Sequence, residues 1–578
     1  MAKWFVTTKK ADFNGIAERF HVSPVLARII RNRDVMEEEE IRIFLSGTLE
    51  DLHSPEEMTD LVKGCNIILE RIKEGAKIRI IGDYDIDGIC STHILKRALQ
   101  MAGADVDTAI PHRMKDGYGL SDHLIEIAHE DGVDMILTCD NGIAARDQIA
   151  YADSLGMGVV ITDHHEVPYT EQAGEKVELL PSALAVIDPK RSDCAYPFKG
   201  ICGGVVAYKF ADVLLALSDQ VTEEERTAFL KEELAFAAIA TVGDVMELLD
   251  ENRLIVKYGL KEAEKTTNPG LRALLAVNDL ENKPLSPFHV GFVLGPCINA
   301  TGRLDTAKRA LELFETKSER EAVLLATELK ELNESRKDLT KEGLETAIEM
   351  IECRPLTKVL VVYLPDCHES LAGIIAGKLR ERYNRPAIVL TKSEDGVKGS
   401  GRSIEAYSMY EALHEVEDLF TKYGGHPMAA GLSMEKEQDV PRLRERLNQN
   451  AALTDEDFIE KVHIDVPMPL SYVSMEFVEE LAKLEPFGNG NPKPLFAQKN
   501  VVLKNGRVFG KSRNVAKFTC DDGMGHYLDA VYFGDADEMV AQTEAHGGLC
   551  SIVYYPDINE YKGKRSIQIV VKYYDFNS

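Results

Sequence analysis

Ile80-Ile81-Gly82-Asp83-Tyr84-Asp85-Ile86-Asp87-Gly88 is the stretch of sequence that decides the fold. An apolar run, residues 77–81, leads into it, and a helical stretch follows it. Apolar strands that alternate with helices indicate a parallel sheet covered on both faces. Further runs of this kind, each followed by a polar turn, occur at residues 106–110, 135–138, 159–162 and 184–187. We therefore predict an α/β fold built on a parallel sheet.

Three carboxylates, Asp83, Asp85 and Asp87, follow the first apolar run. Ligands of open parallel sheets bind at the carboxyl ends of the strands, where these acids are expected. Clustered carboxylates repel one another and need a cation to stay ionised together. A calcium EF-hand is excluded, because its loop follows a helix and requires Glu at the position that Ile94 occupies. An acidic surface turn is the alternative for this motif alone.

Later segments carry residues of the same kind. Asp140 follows the run at 135–138, His164 and His165 follow the run at 159–162, and Asp244 ends an apolar helical stretch. Taken singly, each has an ordinary explanation as a helix cap, an incidental histidine pair or a turn residue. Carboxylates and imidazoles without thiolates suit Mn²⁺ or Mg²⁺. Five or six such ligands are more than one ion needs, so we expect a pair of ions about 3.5–4 Å apart. A pair of this kind activates a water and stabilises the attacking and leaving oxygens, which predicts hydrolysis of a phosphate ester.

The composition indicates a globular protein of several domains. The chain has 578 residues, and at about 100–200 residues per domain we expect three or four domains. No apolar run approaches the ~20 residues of a membrane span, and no signal peptide is recognisable, so we expect a cytoplasmic protein. The 10 Cys include no CxxC pair, which argues against a zinc site or a disulfide framework.

The formal net charge of −29 argues at first against a nucleic-acid partner. Net charge governs solubility and the far field, however, and a local groove can have the opposite sign. Residues 501–520 contain five cations and no acid. A solvated hairpin is the ordinary explanation of that stretch, unless the chemistry elsewhere concerns phosphates.

The order of these patterns predicts five segments. The acidic run 37–40 is expected at a helix start, and the segment 316–352 is expected to be one long helix or two helices in line. The β-run 358–364 opens the second α/β lobe, and turns are predicted at 504–506 and 521–525 of the C-terminal barrel. The segments are a helical lead-in (1–55), a catalytic domain (56–315), a connecting helix (316–352), a second α/β lobe (353–452) and a small β-barrel (453–578).

Asp163-His164-His165 after a strand, with the acidic triplet upstream, resembles the DHH phosphoesterase superfamily. Further motifs narrow the resemblance to the RecJ single-strand exonuclease family, and their order along the chain is the family's order. The resemblance runs from about residue 50 almost to residue 578. These motifs are Pro111-His112-Arg113 with Gly117-Tyr118-Gly119, Ile298-Asn299-Ala300-Thr301-Gly302-Arg303-Leu304, Gly399-Ser400-Gly401-Arg402-Ser403, Gly424-Gly425-His426-Pro427-Met428-Ala429-Ala430-Gly431 and Pro486-Phe487-Gly488-Asn489-Gly490-Asn491-Pro492.

The resemblance implies roles for individual residues. Asp140 would bridge two ions, Asp83 and His165 would lie in or next to the ligand shell, and His165 would orient the scissile phosphate or a ligand. His426 would reach that phosphate from the second lobe, and Arg303 would contact the DNA backbone. The implied metal ligands are Asp85, Asp87, Asp140, His164 and Asp244. The implied pocket for the 5′-terminal phosphate consists of Arg113, Ser400 and Arg402.

The resemblance also implies a DHH catalytic lobe and a C-terminal OB-fold. An OB-fold binds single strands through a positive groove and stacking aromatic side chains. Phe509 and Phe518 are the candidate aromatics, and we expect at least one of them only to fill the barrel. The candidate cations are Lys504, Arg507, Lys511 and Arg513.

Three positions depart from the family's pattern. Ser370 and Thr301 stand where Gly and Ala are usual, and Lys378 stands where Arg is usual. None of these changes removes an implied metal ligand, so the implied activity is retained. They bear instead on the contacts to DNA.

The implied activity is hydrolysis of single-stranded DNA from its 5′ end with two Mn²⁺ or Mg²⁺ ions. The resemblance implies a role in recombination and repair, a monomer, and a helicase and a single-strand-binding protein as partners. A phosphodiesterase for short oligonucleotides or cyclic dinucleotides and a pyrophosphatase are alternatives, but such relatives lack the OB-like region. A silent scaffold is a further alternative, but silent members lose metal-site acids that this chain has.

Overall fold

The structure, a computed structural model, describes residues 2–576 except residues 114, 115, 118, 173 and 395. Tyr118 of the Gly117-Tyr118-Gly119 motif therefore lies outside the described residues. Within the described ranges, no helix is long and apolar enough to cross a membrane.

The N-terminal segment begins with a strand and continues with helices. The predicted helix start at the acidic run is confirmed, because Glu37 caps a helix whose first turn contains three glutamates. Negative charge is favourable there next to the positive end of the helix dipole. The elements are β1 (Lys3–Val6), α1 (Phe13–Phe20), α2 (Pro24–Asn32) and α3 (Glu38–Ser46).

The first lobe is built on the predicted parallel sheet. All five predicted runs form strands within about two residues of the expected bounds, and the strand order is β3-β2-β4-β5-β8 with every pairing parallel. The strands of this lobe, including a separate β6–β7 hairpin, are β2 (Lys77–Ile81), β3 (Asp105–Ala109), β4 (Met135–Cys139), β5 (Gly158–Thr162), β6 (Tyr169–Gln172), β7 (Glu175–Glu178) and β8 (Ala185–Ile187).

Helices cover both faces of this sheet. One apolar cluster contains Ile78 and Ile80 of β2, and another contains Ile81 of the same strand. Alternate residues of a strand point to opposite faces, so both faces are buried. The helices are α4 (Leu61–Glu74), α5 (Ile86–Met101), α6 (Asp122–Glu130), α7 (Arg146–Ser154), α8 (Gly203–Leu217), α9 (Glu223–Gly243), α10 (Asp250–Ala263), α11 (Pro269–Val277), α12 (Pro287–His289), α13 (Gly295–Leu304) and α14 (Lys308–Glu315).

A single helix of 34 residues, α15 (Glu319–Glu352), connects the two lobes. Ser318 caps its first turn by accepting a hydrogen bond from the backbone N–H of Glu321. At about 1.5 Å per residue the helix is about 51 Å long. Of the two predicted possibilities, one continuous helix is the one observed.

The second lobe contains a mixed sheet in the order β12-β13-β11-β10-β9. Its first strand lies inside the β-run predicted at 358–364. The helix α16 contacts β10 and β11, and it shares an apolar cluster with β9 and β10. The elements are β9 (Leu360–Tyr363), α16 (Ala372–Tyr383), β10 (Ala387–Ser393), β11 (Gly396–Arg402), α17 (Met409–His414), β12 (Lys422–His426), β13 (Ala429–Met434) and α18 (Val440–Asn450).

The C-terminal region forms a closed β-barrel. Its sheet has the order β15-β16-β17-β18-β20-β19, and a further pairing between β16 and β19 closes it. Closure removes exposed sheet edges. The elements are β14 (Lys461–Ile464), β15 (Val466–Pro467), α19 (Met475–Leu481), β16 (Phe496–Phe509), β17 (Val515–Asp521), β18 (Tyr527–Phe533), α20 (Ala536–Ala545), β19 (Leu549–Tyr561) and β20 (Lys564–Asp575).

The turn predicted at 504–506 is wrong. Strand β16 continues to Phe509, and its register with β17 shifts between Lys504 and Arg507, which marks a β-bulge. Asn505 has a φ of 58° there. An Asn-Gly pair adopts positive φ as readily in a bulge as in a hairpin turn, so the sequence signal is the same. The turn predicted at 521–525 is confirmed between β17 and β18.

The N-terminal segment packs on this barrel. Strand β1 pairs with β14 in parallel, and Leu26, Ile29 and Phe44 belong to the apolar cluster that fills the barrel. The N-terminal and C-terminal segments therefore share one core. The five segment boundaries remain predictions.

Candidate metal centre and phosphate pocket

The carboxyl ends of three parallel strands, β2, β4 and β5, and the end of one helix, α9, meet at one edge of the first-lobe sheet. The strand register aligns Ile81 with Thr138, and Cys139 with Thr162. The residues that follow these strands are therefore neighbours although they are far apart in the chain. Three groups of side chains have ligand atoms within 4.8 Å of one another: Asp83, Asp85 and Asp140; Asp140, His164 and His165; and Asp87, His164 and Asp244.

The acidic triplet is held by backbone N–H groups. Asp85 is the N-cap of α5 and accepts hydrogen bonds from Asp87 N and Gly88 N at 2.9 and 3.1 Å. The carboxylate of Asp87 accepts from Gly203 N at 2.8 Å and from Gly204 N at 2.7 Å, at the start of α8. The positive end of a helix dipole stabilises a carboxylate in this position. Asp83 is fully buried, and its Oδ2 has no hydrogen-bond partner among the described residues.

Asp140 lies at the centre of the cluster and takes part in two of the three groups. It is 2% exposed and has a φ of 59°, a left-handed conformation that Asp tolerates better than most residues. Its Oδ1 lies 3.1 Å from His164 Nε2. Gly203 packs directly on it, because a Cβ at residue 203 would lie 2.8 Å from the Cβ of Asp140.

The two histidines differ in their surroundings. Nε2 of His164 lies 3.5 Å from Asp87 Oδ2 and 3.7 Å from Asp244 Oδ2. Nδ1 of His165 lies 2.7 Å from Asp163 Oδ1. Asp163 also accepts from the backbone N–H of Ile143 at 2.9 Å, so it holds the imidazole against the sheet.

Burial and mutual repulsion raise the pKa values of the carboxylates in the cluster. Burial and the charge of Asp85 raise the pKa of Asp83 to about 8. Burial and the charges of Asp87 and Asp85 raise the pKa of Asp244 to about 8 and that of Asp140 well above its usual value. Burial lowers the pKa of His165, but its bond to Asp163 together with the charges of Asp163, Asp244 and Asp87 outweighs burial and raises the pKa to about 9.

From the sequence, no role in the site was assigned to three residues that the structure places there. Asp163 orients His165, and Asn299 Oδ1 accepts a hydrogen bond from the N–H of Ile86 at 2.8 Å, which fixes the start of α5. Asp188 follows β8, is fully buried, and has a pKa raised to about 8 by burial and by the charge of Asp163. The signal for Asp188 was available, because it follows the apolar run 184–187 as the other acids follow their strands.

The implied phosphate residues line one cavity of about 750 Å³ between the lobes, here called the interlobe cavity. Arg402 donates to Ser400 Oγ at 2.9 Å, and a Cβ at Gly373 of α16 would lie 2.9 Å from Arg402 Nη2. The guanidinium of Arg113 lies 5.0 Å from the ring centre of Tyr84. The residues that line the cavity are Tyr84, Arg113, Arg303, Glu369, Ser370, Gly373, Ile374, Lys398, Gly399, Ser400, Arg402, Lys422, Tyr423, Gly424, Gly431, Leu432 and Ser433.

Arg303 links the two lobes as well as lining the cavity. It donates to the backbone carbonyl of Ser370 at 2.7 Å. Ser370 is held in turn by His368, whose Nδ1 lies 2.7 Å from its Oγ. Thr301 is fully buried and bonds to the carbonyl of Ile298, while Lys378 is exposed on α16. The departures at 370 and 301 are therefore accommodated within the fold.

The remaining predicted residues lie elsewhere. His426 is exposed at the end of β12 and is not among the described residues that line the interlobe cavity. In the barrel, Phe518 is 3% exposed and Phe509 is 44% exposed, so one of the two aromatics fills the core as expected. Lys504 pairs with Asp521 at 2.6 Å, and Arg513 Nε donates to Asp537 at 2.8 Å. In the part of the chain that the structure describes, Arg507 and Lys511 have no acidic partner.

Comparison with known proteins gives matches to all three structural regions. The DHH family N-terminal domain matches residues 77–241, the DHHA1 domain matches residues 356–453, and the RecJ OB domain matches residues 464–573. The parallel sheet, the acids and imidazoles at its strand ends, and the second lobe therefore define a phosphoesterase of the DHH class.

Full-length similarity narrows this class. The chain is 36% identical over 577 residues to the single-stranded-DNA-specific exonuclease RecJ of Bacillus subtilis (strain 168), covering 99% of this chain and 70% of that protein. It is 32% identical over 567 residues to the same exonuclease of Escherichia coli (strain K12), covering 95% of each. The crystal structure of RecJ from Thermus thermophilus in complex with Mn²⁺ aligns with a TM-score of 0.82 at 27% identity, covering 99% of this chain and 79% of that one. The chain belongs to the family of RecJ single-stranded-DNA-specific exonucleases.

Proposed function

We propose that this protein hydrolyses single-stranded DNA from the 5′ end with a pair of Mn²⁺ or Mg²⁺ ions. The observation that carries the proposal is the buried cluster at the strand ends. Four carboxylates there have raised pKa values because they repel one another in a desolvated site. Divalent cations are the partners that such a set of oxygen and imidazole donors fits.

The overlap of the ligand groups supports two ions rather than one. Asp140 and His164 each belong to two of the three groups. In this proposal Asp83, Asp85, Asp87, Asp140, His164 and Asp244 would hold the two ions, and Asp140 would be the ligand that they share. When bound, such a pair lowers the pKa of a water and neutralises charge on the phosphate oxygens.

The residues around the metal centre would bind and orient the strand. Nδ1 of His165 lies 2.7 Å from Asp163 Oδ1, so a contact with the scissile phosphate would be made by Nε2. Arg113 and Arg402 carry permanent charges that can bind phosphate oxygens in a forked geometry. Together with Ser400 they would hold the 5′-terminal phosphate, which would set the polarity of degradation.

The barrel would hold the rest of the strand. Phe509 is exposed next to Lys517, whose ammonium lies 5.6 Å from the centre of its ring. A stacking surface beside cations suits single strands of any sequence. His426 is proposed to approach the scissile phosphate from the second lobe, and Arg303 to contact the DNA backbone.

The test is cleavage of a 5′-labelled single strand and of the matching duplex, with and without Mn²⁺. Asp140→Asn is the informative variant, because Asn keeps the shape and tolerates the positive φ, whereas Ala would add backbone strain. We expect Asp140→Asn to lose hydrolysis while its binding to the single strand stays measurable. Asp153→Asn, an exposed position on α7, is the matched control. Retained nuclease activity in Asp140→Asn would contradict the proposed centre.

Family membership supports further proposals on the cellular role. We propose that the protein acts in recombination and repair, with a helicase to supply single strands and a single-strand-binding protein to cover them. The cytoplasmic location and the monomeric state remain predictions. Sedimentation of the purified protein with and without a single strand would test the monomer.

A further inference from the structure

One face of the second-lobe sheet carries three cross-strand rows, and part of this face lines the interlobe cavity. The pairing of β11 with β13 and of β13 with β12 sets these rows. The first row is Arg402, Ala429 and His426, the second is Ser400, Gly431 and Gly424, and the third is Lys398, Ser433 and Lys422.

Alternation along the strands separates these rows from the core. Val397 and Ala430 point to the opposite face, where they belong to the apolar core of the lobe. All three members of the third row line the interlobe cavity. The middle row has glycine on two of its three strands, so few side-chain atoms lie between the two rows that contain cations.

The distance between neighbouring rows is suitable for a second phosphate group next to the first. Successive rows are two residues apart along the strand, which is about 6.8 Å. The proposed pocket for the 5′-terminal phosphate lies at Ser400 and Arg402. The third row is one step beyond that pocket, on the side away from His426. Phosphates that lead from the strand's 5′ end toward the metal centre therefore do not account for it.

The charge of the third row is positive. Lys398 Nζ lies 3.2 Å from Glu369 Oε1, so one acid faces this row. Lys422 is exposed and has no acidic partner among the described residues. Lys422, which has no acidic partner among the described residues, and Lys398, which is paired with Glu369, therefore lie next to glycines that carry no side chain. A further phosphate group would compete with Glu369 for Lys398 and would bind Lys422.

We propose that Lys398, Ser433 and Lys422 form a subsite for the distal phosphate of a 5′-triphosphate, so that the protein accepts strands with 5′-triphosphate ends. The two P–O–P bridges of a triphosphate span a distance similar to one row step. The placement of the terminal phosphate next to this subsite rests on the proposed function.

The hydrolytic step on such an end has a distinctive product. Water adds to the phosphorus of the first internucleotide phosphodiester, the P–O3′ bond breaks, and O3′ takes up the proton. The terminal residue leaves as a nucleoside 5′-triphosphate with a 3′-hydroxyl group. The shortened strand keeps the attacked phosphorus as a 5′-monophosphate, so only the first cleavage uses the subsite.

The binding test uses the full chain in EDTA, so that it does not depend on hydrolysis. One fluorescent oligonucleotide sequence is prepared with a 5′-triphosphate or a 5′-monophosphate, and both are titrated by anisotropy at the same salt concentration. We expect the triphosphate end to bind about tenfold more tightly. In the double variant Lys398→Gln, Lys422→Gln the ratio of the two affinities should fall to about one. Lys422→Gln alone, which leaves the pair with Glu369 intact, should fall between.

Lys392→Gln is the control, because Lys392 is exposed on β10 of the same sheet and does not line the cavity. It should keep the wild-type ratio. Equal affinity of the wild type for the two ends, or a preference that survives in the double variant, would overturn the subsite.

The cleavage test adds Mn²⁺ and follows the first product from the triphosphate strand. A nucleoside triphosphate, formed once per strand, is expected. Release of a dinucleotide that depends on the two lysines, without any preference for the triphosphate end, would overturn the proposal, because an upstream nucleotide would then occupy the third row. Failure of all hydrolysis with an intact binding preference would contradict the proposed function and leave the subsite supported.

Discussion

Asp140 combines features that are unfavourable one by one in a protein interior. It is buried, it lies in a left-handed conformation, and it is surrounded by other carboxylates. Residues held in such conformations persist only where the surrounding structure fixes them, and they concentrate at functional sites. Gly203 fixes this one by packing against its Cβ.

Asp140→Asn should stabilise the metal-free protein. The change removes one charge from a desolvated cluster whose members repel one another, and we expect the free energy of unfolding to rise by on the order of 1–2 kcal/mol. Mn²⁺ should raise the melting temperature of the wild type more than that of the variant, because the variant has lost a ligand. Thermal melts in EDTA and in Mn²⁺ measure both effects. A lower melting temperature for the variant in EDTA would contradict the repulsion argument.

His53 provides a pH-dependent contact away from the metal centre. Its Nε2 lies 2.7 Å from Asp250 Oδ1, and this hydrogen bond raises the pKa of His53, with Glu251 raising it and burial and Lys209 lowering it. A raised pKa in the folded state stabilises below the unfolded value of about 6.5, and the contribution is lost as the pH rises through the folded value. His53→Gln should therefore destabilise by up to about 1 kcal/mol at pH 5.5 and by less at pH 9.

Urea denaturation at the two pH values measures the effect. His129→Gln, an exposed position on α6, serves as the control for loss of a histidine. The same destabilisation of His53→Gln at both pH values would show that the contact does not depend on protonation.

At the scale of elements, Arg253 on α10 connects three segments of the chain. It is 1% exposed and donates to the carbonyls of Phe44, Leu484, Lys483 and Glu485 at 2.7–3.0 Å. Its guanidinium also lies 3.9 Å from the ring centre of Phe44. One side chain thus joins α3, a helix of the first lobe and the segment between α19 and β16 of the barrel region.

Arg253→Met should destabilise the protein by about 3–5 kcal/mol, because it removes a donor from four carbonyls in a buried place, of which that of Leu484 keeps a hydrogen bond from Asn491 Nδ2 at 2.7 Å. Arg71→Met, which removes an exposed arginine paired with Glu74 on α4, should cost less than about 1 kcal/mol. Chemical denaturation of both variants gives the comparison. Similar losses in the two variants would contradict the role of Arg253 as a link.

Strand β16 and the loop after it carry two cations that are paired with acids and two that are not. Lys504 and Arg513 are ion-paired within the barrel, whereas Arg507 and Lys511 have no acidic partner among the described residues. The unpaired cations should bind phosphates without first breaking a pair. Arg507→Gln and Lys511→Gln should each reduce the slope of log K against log salt for a single strand by about 0.7. Lys504→Gln and Arg513→Gln, measured in the same titrations, should change it less.

At the scale of the whole molecule, the two ends of the chain fold together. Helices α2 and α3 contribute to the core of the C-terminal barrel, and β1 pairs with β14. The barrel is therefore not a separate appendage of the catalytic lobe. The N-terminal segment and Arg253 attach it to that lobe.

Leu26→Ala should loosen the barrel rather than the catalytic sheet. Leu26 is fully buried, and its truncation should cost about 2–5 kcal/mol. Hydrogen exchange should rise in β16 and β19, which share its core, and not in β4. Ile149→Ala on α7, which lies in the core on one face of the first-lobe sheet, should give the opposite pattern. Increased exchange in β4 of Leu26→Ala would contradict the shared core.

Local patterns were sufficient for much of the catalytic lobe. Apolar runs followed by turns identified all five strands of the sheet. The three central strands β2, β4 and β5 are buried on both faces, which leaves little choice of residue. The acids at 83, 85, 87 and 140 and the histidine at 164 could be grouped from their positions in the chain, since parallel strands end at one edge. The family resemblance supplied the phosphate pocket, whose members do line one cavity.

Tertiary structure alone decided what depends on residues far apart in the chain. The Asn-Gly signal at 505–506 fits a turn and a bulge equally, and pairing with β17 selected the bulge. The five cations of residues 501–520 appeared uniform until partners at 521 and 537 neutralised two of them. The row of Lys398, Ser433 and Lys422 exists only through strand register. A sequence records which groups are available, but distance and desolvation decide which of them interact, and both arise only when the chain is folded.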